Sequence, residues 1–284
     1  MYLAGAVLPL VLGMVLKVLF EPEKSGISIS GALIYFTIPM PIQNLPITES
    51  QVNSALVIVT ILFLCLYFTH GLTVRAELKR QHIAEWIVKQ TKSLVKTNMS
   101  DYFAGFAPFV AAIMGLSAFS SLLSLIGLYP PTSDINIVGG WAILVFILIT
   151  YYKMKCGPLH YVKSFGDPVP LLSPLNIISE VATPVSMAFR HYGNVLSGSV
   201  ISVLVATGLQ GLSNLLLGWL PGFLGKIPFL QIGLPAILSV YFDVFSGCLQ
   251  AFIFAMLTML YIASGFPEED YFAKRARKLQ KSKN

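Results

Sequence analysis

Charged residues are scarce in this sequence. Only 11% of the 284 residues are Asp, Glu, Lys or Arg, whereas hydrophobic residues make up 55% and the mean hydropathy is +0.74. Soluble domains contain about 25% charged residues, so the composition is typical of an integral membrane protein and argues against a soluble enzyme. The net charge of +6 comes from basic blocks beside apolar runs. Because these blocks lack interleaved aromatic residues, we expect no nucleic-acid partner.

Cysteine and catalytic motifs are lacking as well. The three cysteines, Cys65, Cys156 and Cys248, form no CxxC pair, so their spacing supports neither a disulfide framework nor a zinc site. The sequence has no GxxxxGK(S/T) phosphate loop and no HExxH motif, and we find no paired nucleophile and base. We therefore expect that this chain binds no cofactor and no metal and carries out no nucleotide chemistry itself.

Long apolar runs are what the sequence has instead. Crossing a bilayer takes about 20 apolar residues, and we predict five transmembrane helices, at 52–72, 106–129, 137–152, 183–207 and 232–264. The N-terminal run 2–20 is a sixth span, an interfacial helix or a cleaved signal peptide, and the lack of preceding basic residues argues against the last of these. The predicted fold class is an all-α, polytopic membrane protein with five to six transmembrane helices.

The placement of basic residues predicts how these helices are oriented. Lys and Arg cluster in the connections 73–104 and 153–167 and in the C-terminal tail. The connections 130–136 and 208–231 together contain a single basic residue, Lys226. The positive-inside rule places the basic connections and the C-terminus in the cytoplasm.

The connection after the first predicted span also has a helical pattern. Residues 75–96 include eight charged residues, and most of the apolar positions among them share one helical face. These positions are Ile83, Trp86, Ile87, Leu94 and Val95. The pattern predicts a basic amphipathic helix on the membrane surface. We divide the chain into an N-terminal segment 1–51, a membrane domain 52–266 and a basic tail 267–284.

One arginine lies deep within an apolar stretch. Residues 168–266 contain Arg190 and, apart from it, only the formal charges of Glu180, Lys226 and Asp243. Placing a guanidinium at membrane depth costs roughly 3 kcal/mol on insertion scales and about 10 kcal/mol or more in simulations. A chain that keeps such a residue keeps it for function, so Arg190 is the centre of the candidate site.

Polar and small residues recur with helical spacing around the arginine. At positions i, i+4 and i+7 stand Arg190, Asn194 and Ser197 in one predicted helix and Asp243, Gly247 and Gln250 in the next. Each triplet shares one helical face. We predict a long tilted antiparallel hairpin that pairs Arg190 with Gln250. In this register Gly193 and Gly247 meet, which allows a close approach of the two backbones.

Two carboxylates flank the arginine in this register. Asp243 lies about 10 Å from the Arg190 level toward the outside, and Glu180 lies about 15 Å away toward the cytoplasm, at 1.5 Å per residue. Each carboxylate also has a structural alternative to a role in ion transfer. In that alternative, Asp243 only caps an irregular helix start and Glu180 only interacts with the helix dipole. Asn194 and Gln250 either serve the site or form ordinary hydrogen bonds between helices.

Two segments carry a family resemblance. They are PLNIISEVATPVSMAFRHYGNVLSG at 174–198 and LQAFIFAMLT at 249–258. Both resemble subunit a of bacterial F-type ATP synthases, and the resemblance extends over about 47–266. It implies an ion-translocating stator subunit of Fo in the inner (plasma) membrane, without enzyme activity of its own. It also implies a c-subunit ring and peripheral-stalk b subunits as partners.

The resemblance further implies two offset half-channels that exchange ions with carboxylates of the ring. A carboxyl group that faces lipid is neutral, whereas one that faces Arg190 is ionised, so the arginine releases the ion. Because a guanidinium keeps its proton in proteins, Arg190 also blocks leakage between the half-channels. The sequence leaves open whether the ion is H⁺ or Na⁺. The alternative function is that of a free-standing ion-coupled transporter.

Two positions depart from the family pattern. The family often has an ionisable pair at the positions of Ser199 and Asp243, but Ser199 is neutral, which leaves Asp243 as the only acid expected on that side. His191 replaces the leucine that usually follows the arginine. It either titrates near neutrality beside the ion path or is a packing or hydrogen-bonding group, because it points about 100° away from Arg190.

Overall fold

The structure is a computed structural model that describes residues 2–20, 31–41, 43–73, 78–166, 170–217, 233 and 237–281. Within these residues, six helices are long and apolar enough to cross a membrane. The helix added to the five predicted spans is the N-terminal run, Tyr2–Phe20. The prediction of an all-α, polytopic membrane protein with five to six transmembrane helices is confirmed. The division of the chain into three segments stays a prediction.

Helices make up most of the described chain. They are α1 (Tyr2–Phe20), α2 (Glu49–Thr69), α3 (Lys79–Asn98), α4 (Ala107–Leu122), α5 (Ile135–Lys153), α6 (Pro158–Ser164), α7 (Ser173–Leu217), α8 (Gly247–Gly265) and α9 (Glu268–Lys281). Short 3-10 helices occupy Asp101–Phe106, Leu123–Ile126, Pro131–Ser133, Met154–Cys156 and Pro170–Leu172, and a π-helix, Val240–Ser246, leads into α8. Two short strands that were not predicted, β1 (Ile34–Ile38) and β2 (Leu45–Thr48), pair antiparallel before α2.

Helix α7 is far longer than the predicted span 183–207. Its 45 residues extend about 66 Å at 1.5 Å per residue, roughly twice the thickness of the hydrocarbon core. Such a helix either lies strongly inclined in a bilayer, as predicted for the hairpin, or extends past the hydrocarbon core at its less apolar ends. The predicted outside loop 208–231 is wrong for its first ten residues, which continue α7, because their small and polar side chains lower the hydropathy without ending a helix. Residues 218–231 lie outside the described part.

The main core lies between α4, α5 and α8. Phe254, Met259 and Ile262 of α8 are buried, and Val110 of α4 and Val145 of α5 belong to the same apolar cluster. Helix α7 packs against α5 and α8 and adds Met187 to this cluster. It is thereby fixed along one side and keeps an exposed face, on which the site is built.

The N-terminal helix α1 packs along α2. Lys17, near the end of α1, donates a hydrogen bond to the backbone carbonyl of Gly127, which follows α4. The ends of α1 and α4 are therefore close together, as expected for a sixth span that runs parallel to α4.

The surface helix predicted over 75–96 is present as α3. Val95 is buried, whereas Ile83, Trp86 and Ile87 are exposed. Exposed apolar side chains on a basic helix suit the interface between headgroups and acyl chains. Contact with the membrane surface stays a prediction, and residues 74–77, near the predicted start, lie outside the described part.

The helix bundle has two chemically different ends. At the basic end, Lys274 donates a hydrogen bond of 2.7 Å to the carbonyl of Cys156, which joins the middle of α9 to the 3-10 helix that follows α5. At the acidic end, around Glu49 and Asp134, the backbone N–H of Tyr129 donates to a Glu49 carboxylate oxygen at 3.2 Å. The connections that the sequence assigns to opposite sides of the membrane therefore lie at opposite ends of the bundle.

Candidate functional site

Arg190 lies on a polar face of α7 that is open to the surroundings. The polar residues at helical spacing along this face are Ser179, Thr183, Ser186, Arg190, Asn194 and Ser197, and each is exposed or half-buried. Among the residues that the structure describes, Arg190 has no hydrogen-bond or ion-pair partner. Its guanidinium is therefore available to a group from another chain.

Two contacts set the register of the long antiparallel hairpin that α7 forms with the last apolar helix. Asn194 Nδ2 donates to Oε1 of the buried Gln250 at 2.8 Å. A Cβ added to Gly198 would lie 2.9 Å from the ring of Phe242, so the helices are close at this level. Gly198 follows Arg190 by as many residues as Phe242 precedes Gln250. The predicted pairing of Arg190 with Gln250 therefore places Gly198 level with Phe242. Asn194 lies one helical turn beyond Arg190, and its side chain spans this distance to reach Gln250.

The predicted contact between Gly193 and Gly247 is wrong. A Cβ added to Gly247 would lie 2.6 Å from the Cβ of Ser121 on α4, and nothing lies within 4 Å of one added to Gly193. The π-helix that precedes Gly247 has i to i+5 hydrogen bonds, so the i, i+4, i+7 spacing from Asp243 does not define one face. Gly247 instead allows α8 to pack closely on α4.

Asp243 lies inside this π-helix, where its half-buried carboxylate accepts a hydrogen bond from the hydroxyl of Ser239. The backbone is already helical from Ile237 onward, so the cap of an irregular helix start is not its role. Ser199 is exposed and donates to the carbonyl of Leu196 at 2.8 Å. Nine residues from Arg190, it lies on the opposite side of α7, and the structure does not bring these two side chains together.

His191 is fully buried and points into the helix bundle. Its Nε2 lies 3.2 Å from the hydroxyl oxygen of Ser117 on α4. The rings of Trp141 on α5 and Phe254 on α8 lie edge-on to the imidazole, with centroids at 6.1 Å and 5.5 Å. His191 therefore has the packing role that was one of its two predicted alternatives. Its Nδ1 is a buried polar atom without a hydrogen-bond partner among the described residues.

Glu180 forms an ion pair near the basic end. One carboxylate oxygen lies 3.2 Å from Lys153 Nζ and accepts a hydrogen bond of 2.9 Å from the hydroxyl of Tyr161. Burial, and then the hydrogen bond with Glu180, raise the pKa of Tyr161 to about 12. Because α7 begins at Ser173, Glu180 lies beyond the first turn, where the effect of the helix dipole has faded.

A small polar cavity adjoins this ion pair. Its volume is about 130 Å³, and its polar lining consists of Lys153, Glu180, Thr183, Tyr261 and Ser264. Thr183 belongs to the exposed polar face of α7 that carries Arg190. The cavity therefore reaches the polar face of α7 at a level about 10 Å from Arg190.

Comparison with known proteins identifies the family. The sequence model of the family described as ATP synthase A chain matches residues 52–263. The chain belongs to the ATP synthase subunit a family. ATP synthase subunit a of Bacillus pumilus is 33% identical over 227 residues, which cover 74% of this chain and 88% of that protein.

Further members of the family give the same coverage at similar identity. Subunit a of Legionella pneumophila strain Paris is 27% identical over 237 residues, 83% of this chain and 93% of that protein. Subunit a of Priestia megaterium is 31% identical over 239 residues, 78% and 94% of the two chains. Subunit a is a non-catalytic, multi-pass membrane subunit of Fo, so the chain is a stator component of an ATP synthase and no enzyme by itself.

Sequence reasoning missed the polar interior at the acidic end. The prediction that Asp243 is the only acid on its side is wrong, because the π-helix packs near this end and Glu49 and Asp134 lie there too. Glu49 is only 2% exposed. Serines at i, i+4 and i+7 in α4 and the 3-10 helix that follows it, namely Ser117, Ser121 and Ser124, are a helical signal that identifies this polar interior in the sequence.

Proposed function

We propose that this chain provides two offset half-channels that load and unload ions on the carboxylates of a c-subunit ring. An ion gradient thereby drives rotation and ATP synthesis. The observation that carries the proposal is the exposed guanidinium of Arg190, which lies midway along an apolar helix and has no partner among the described residues. A ring carboxyl group that meets it becomes ionised and releases its ion. Moving one charge across the membrane yields about 2.3 kcal/mol per 100 mV.

The two acids that flank Arg190 are assigned to the two half-channels. Glu180, in the polar cavity that it shares with Lys153, serves the half-channel at the basic end. Asp243 serves the half-channel at the acidic end. The hydrogen-bonded pair of Asn194 and Gln250 lies beside Arg190 and separates the two half-channels. Because Arg190 keeps its proton, ions cannot pass directly from one half-channel to the other and have to travel on the ring.

The polar face of α7 is the proposed contact surface for the ring. Ser197→Cys should form cross-links with cysteines placed on the outer helix of the c subunit, whereas Ser199→Cys should not. Both serines are exposed and only two residues apart, but Ser197 shares the Arg190 face and Ser199 lies opposite. Cross-linking is measured in membranes of the whole complex after Cys65, Cys156 and Cys248 are replaced by Ala. Equal cross-linking from both positions would remove this surface from the proposal.

We also propose that the basic end faces the cytoplasm, with the C-terminal tail and the b subunits of the peripheral stalk on that side. The positive-inside rule supports this orientation. In a background without native cysteines, Lys89→Cys should react with an impermeant maleimide only in inverted vesicles. Asn136→Cys, at the acidic end, should react only in intact cells, and both positions are exposed. The opposite labelling pattern would reverse the inlet and the outlet.

A further inference from the structure

A row of buried hydroxyl groups leads from the acidic end into the bundle. The Oγ1 of Thr132 lies 3.5 Å from the Oγ of Ser121, which donates to the carbonyl of Ser117 at 3.2 Å. The Oγ of Ser117 lies 3.2 Å from Nε2 of His191. All four side chains are at most 3% exposed. We call Thr132, Ser121 and Ser117 the hydroxyl row.

The outer end of the hydroxyl row lies beside two acids. Asp134 is two residues from Thr132 and accepts a hydrogen bond from Ser50. Glu49 lies next to Ser50 in the sequence, and burial and then its carboxylate raise the pKa of Tyr35 to about 12. The negative charge at this end of the bundle attracts cations from the surroundings.

The inner end of the hydroxyl row is an imidazole with an unused nitrogen. His191 Nε2 faces Ser117, and the buried Nδ1 has no partner among the described residues. The groups that face the ring from α5 and α8 are Trp141 and Phe254. Neither is ionised at neutral pH, and the adjoining charge on α7 is Arg190. A buried polar atom without a partner is unfavourable, so its retention points to a role in transfer.

Ordinary packing accounts for some buried hydroxyls but not for this arrangement. Serine and threonine in helices often donate to the carbonyl four residues earlier, as the fully buried Thr258 does to Phe254. Within the described part of the chain, Thr258 forms no hydrogen bond to another helix, whereas the hydroxyl row joins α4 to the segment before α5 and, through His191, to α7. Neighbouring hydroxyls one helical turn apart, about 5 to 6 Å, are within reach of one bridging water molecule.

We propose that the hydroxyl row forms the inlet from the acidic end together with Asp243, whose π-helix contacts α4, and that His191 is its last proton relay, so that the transported ion is H⁺. This inference rests on the proposed function. A metal cation needs several oxygen ligands around it, whereas hydroxyls in single file and an imidazole pass a proton along hydrogen bonds.

The transfer conserves protons at each step. Ser117 gives its O–H proton to Nε2 while a proton from the acidic end, which arrives through Ser121 and a bridging water molecule, replaces it, so that no alkoxide forms. Because His191 is buried on the bundle side of α7, the imidazolium releases its Nδ1 proton through water to the ring carboxylate, which becomes neutral. Rotation of the imidazole about its two side-chain torsions restores the starting arrangement. One proton has then moved from the acidic end to the ring.

Passive proton flux through the assembled Fo, in vesicles from which F1 has been removed, tests this inlet. We expect His191→Leu and Ser117→Ala to lower the flux at least about tenfold, because general acid–base groups contribute about 10² to 10⁴. The matched control is Thr258→Val, which removes an equally buried hydroxyl and should leave the flux within about twofold. The pH profile of the flux should also lose the titration of His191 in the leucine variant.

Chemical rescue separates a relay from a packing residue. Flux through His191→Ala should rise when imidazole is added, and flux through Thr258→Val should not change. If His191→Leu fails to assemble, His191→Gln keeps a polar side chain of similar size without a proton to exchange, and it should also lose flux. An assembled His191 variant with the flux and pH profile of the unchanged chain would overturn the inlet.

The result is distinguishable from a failure of the proposed function. If Arg190→Ala loses ion-driven synthesis while His191→Leu keeps its proton flux, the proposal of two half-channels is supported and the hydroxyl row is not the inlet. If Arg190→Ala keeps ion-driven synthesis, the proposed function itself is wrong. Synthesis driven by a Na⁺ gradient in the presence of a protonophore would show that the ion is not H⁺.

Discussion

Arg190→Ala is expected to abolish ion-driven ATP synthesis while the complex still assembles. The guanidinium has no partner within the described chain, so its removal breaks no contact that holds the bundle together. It does remove the one charge that ionises an arriving ring carboxyl group. Without it, the ring carboxylates stay neutral at the interface, and ions leak between the half-channels without rotation. Synthesis in inverted vesicles, with the subunit composition of the complex measured alongside, tests this expectation.

Arg190→Lys is expected to be almost as harmful as the alanine variant. An ammonium group loses its proton more readily when it is desolvated, and it lacks the planar fork of donors that holds a carboxylate. The matched control is Arg80→Lys, a conservative change on the surface helix α3 far from the site. Near-normal synthesis by assembled complexes with either Arg190 variant would refute the assignment of Arg190.

Asp243→Asn is expected to slow ion flux by about tenfold or more. The amide keeps the shape of the side chain and can still bond Ser239, but it can neither attract a cation nor exchange a proton. Asp243→Glu should retain part of the flux, because the carboxylate remains while its position shifts by one methylene group. Flux is measured across a series of pH values, since loss of a titrating group changes the profile as well as the rate.

A charge-matched control accompanies the Asp243 variants. Asp101→Asn removes an exposed carboxylate that starts the 3-10 helix before α4, near the basic end, and it should leave the flux unchanged. Identical flux in Asp243→Asn and in the unchanged chain at every pH would return Asp243 to a structural role in the π-helix.

The sequence predicted those parts of the fold that depend on local hydropathy. The apolar runs identified five spans, and the repeat of Arg190 and Asn194 at helical spacing identified the face of α7 that the structure leaves exposed. The ends of α7 were not predictable from hydropathy, because Ser173 to Ala182 and Gly208 to Leu217 are helical without being strongly apolar. A hydropathy window measures how apolar a segment is and does not measure how far its helix extends.

The parts of the site that depend on tertiary contacts were beyond a single sequence. Gly247 was paired with Gly193 because regular helical spacing was assumed, and a π-helix changes the direction of every side chain around it. The ion pair of Glu180 joins two helices far apart in the sequence, and no local pattern indicates its partner. His191 was left between two roles, since its direction was predictable and the hydroxyl of Ser117 opposite it was not.

In the proposed complex with a c-subunit ring, the length and inclination of α7 determine how many ring subunits meet the site at once. From Ser179 to Ser197 its polar face extends about 27 Å, whereas neighbouring packed helices lie about 8 to 10 Å apart. An inclined helix of this length therefore overlaps more than one helix of a ring that turns beside it. One ring carboxylate still contacts the polar face while the next one enters. Successive contacts then overlap in time, and the ring stays engaged with the stator throughout its rotation.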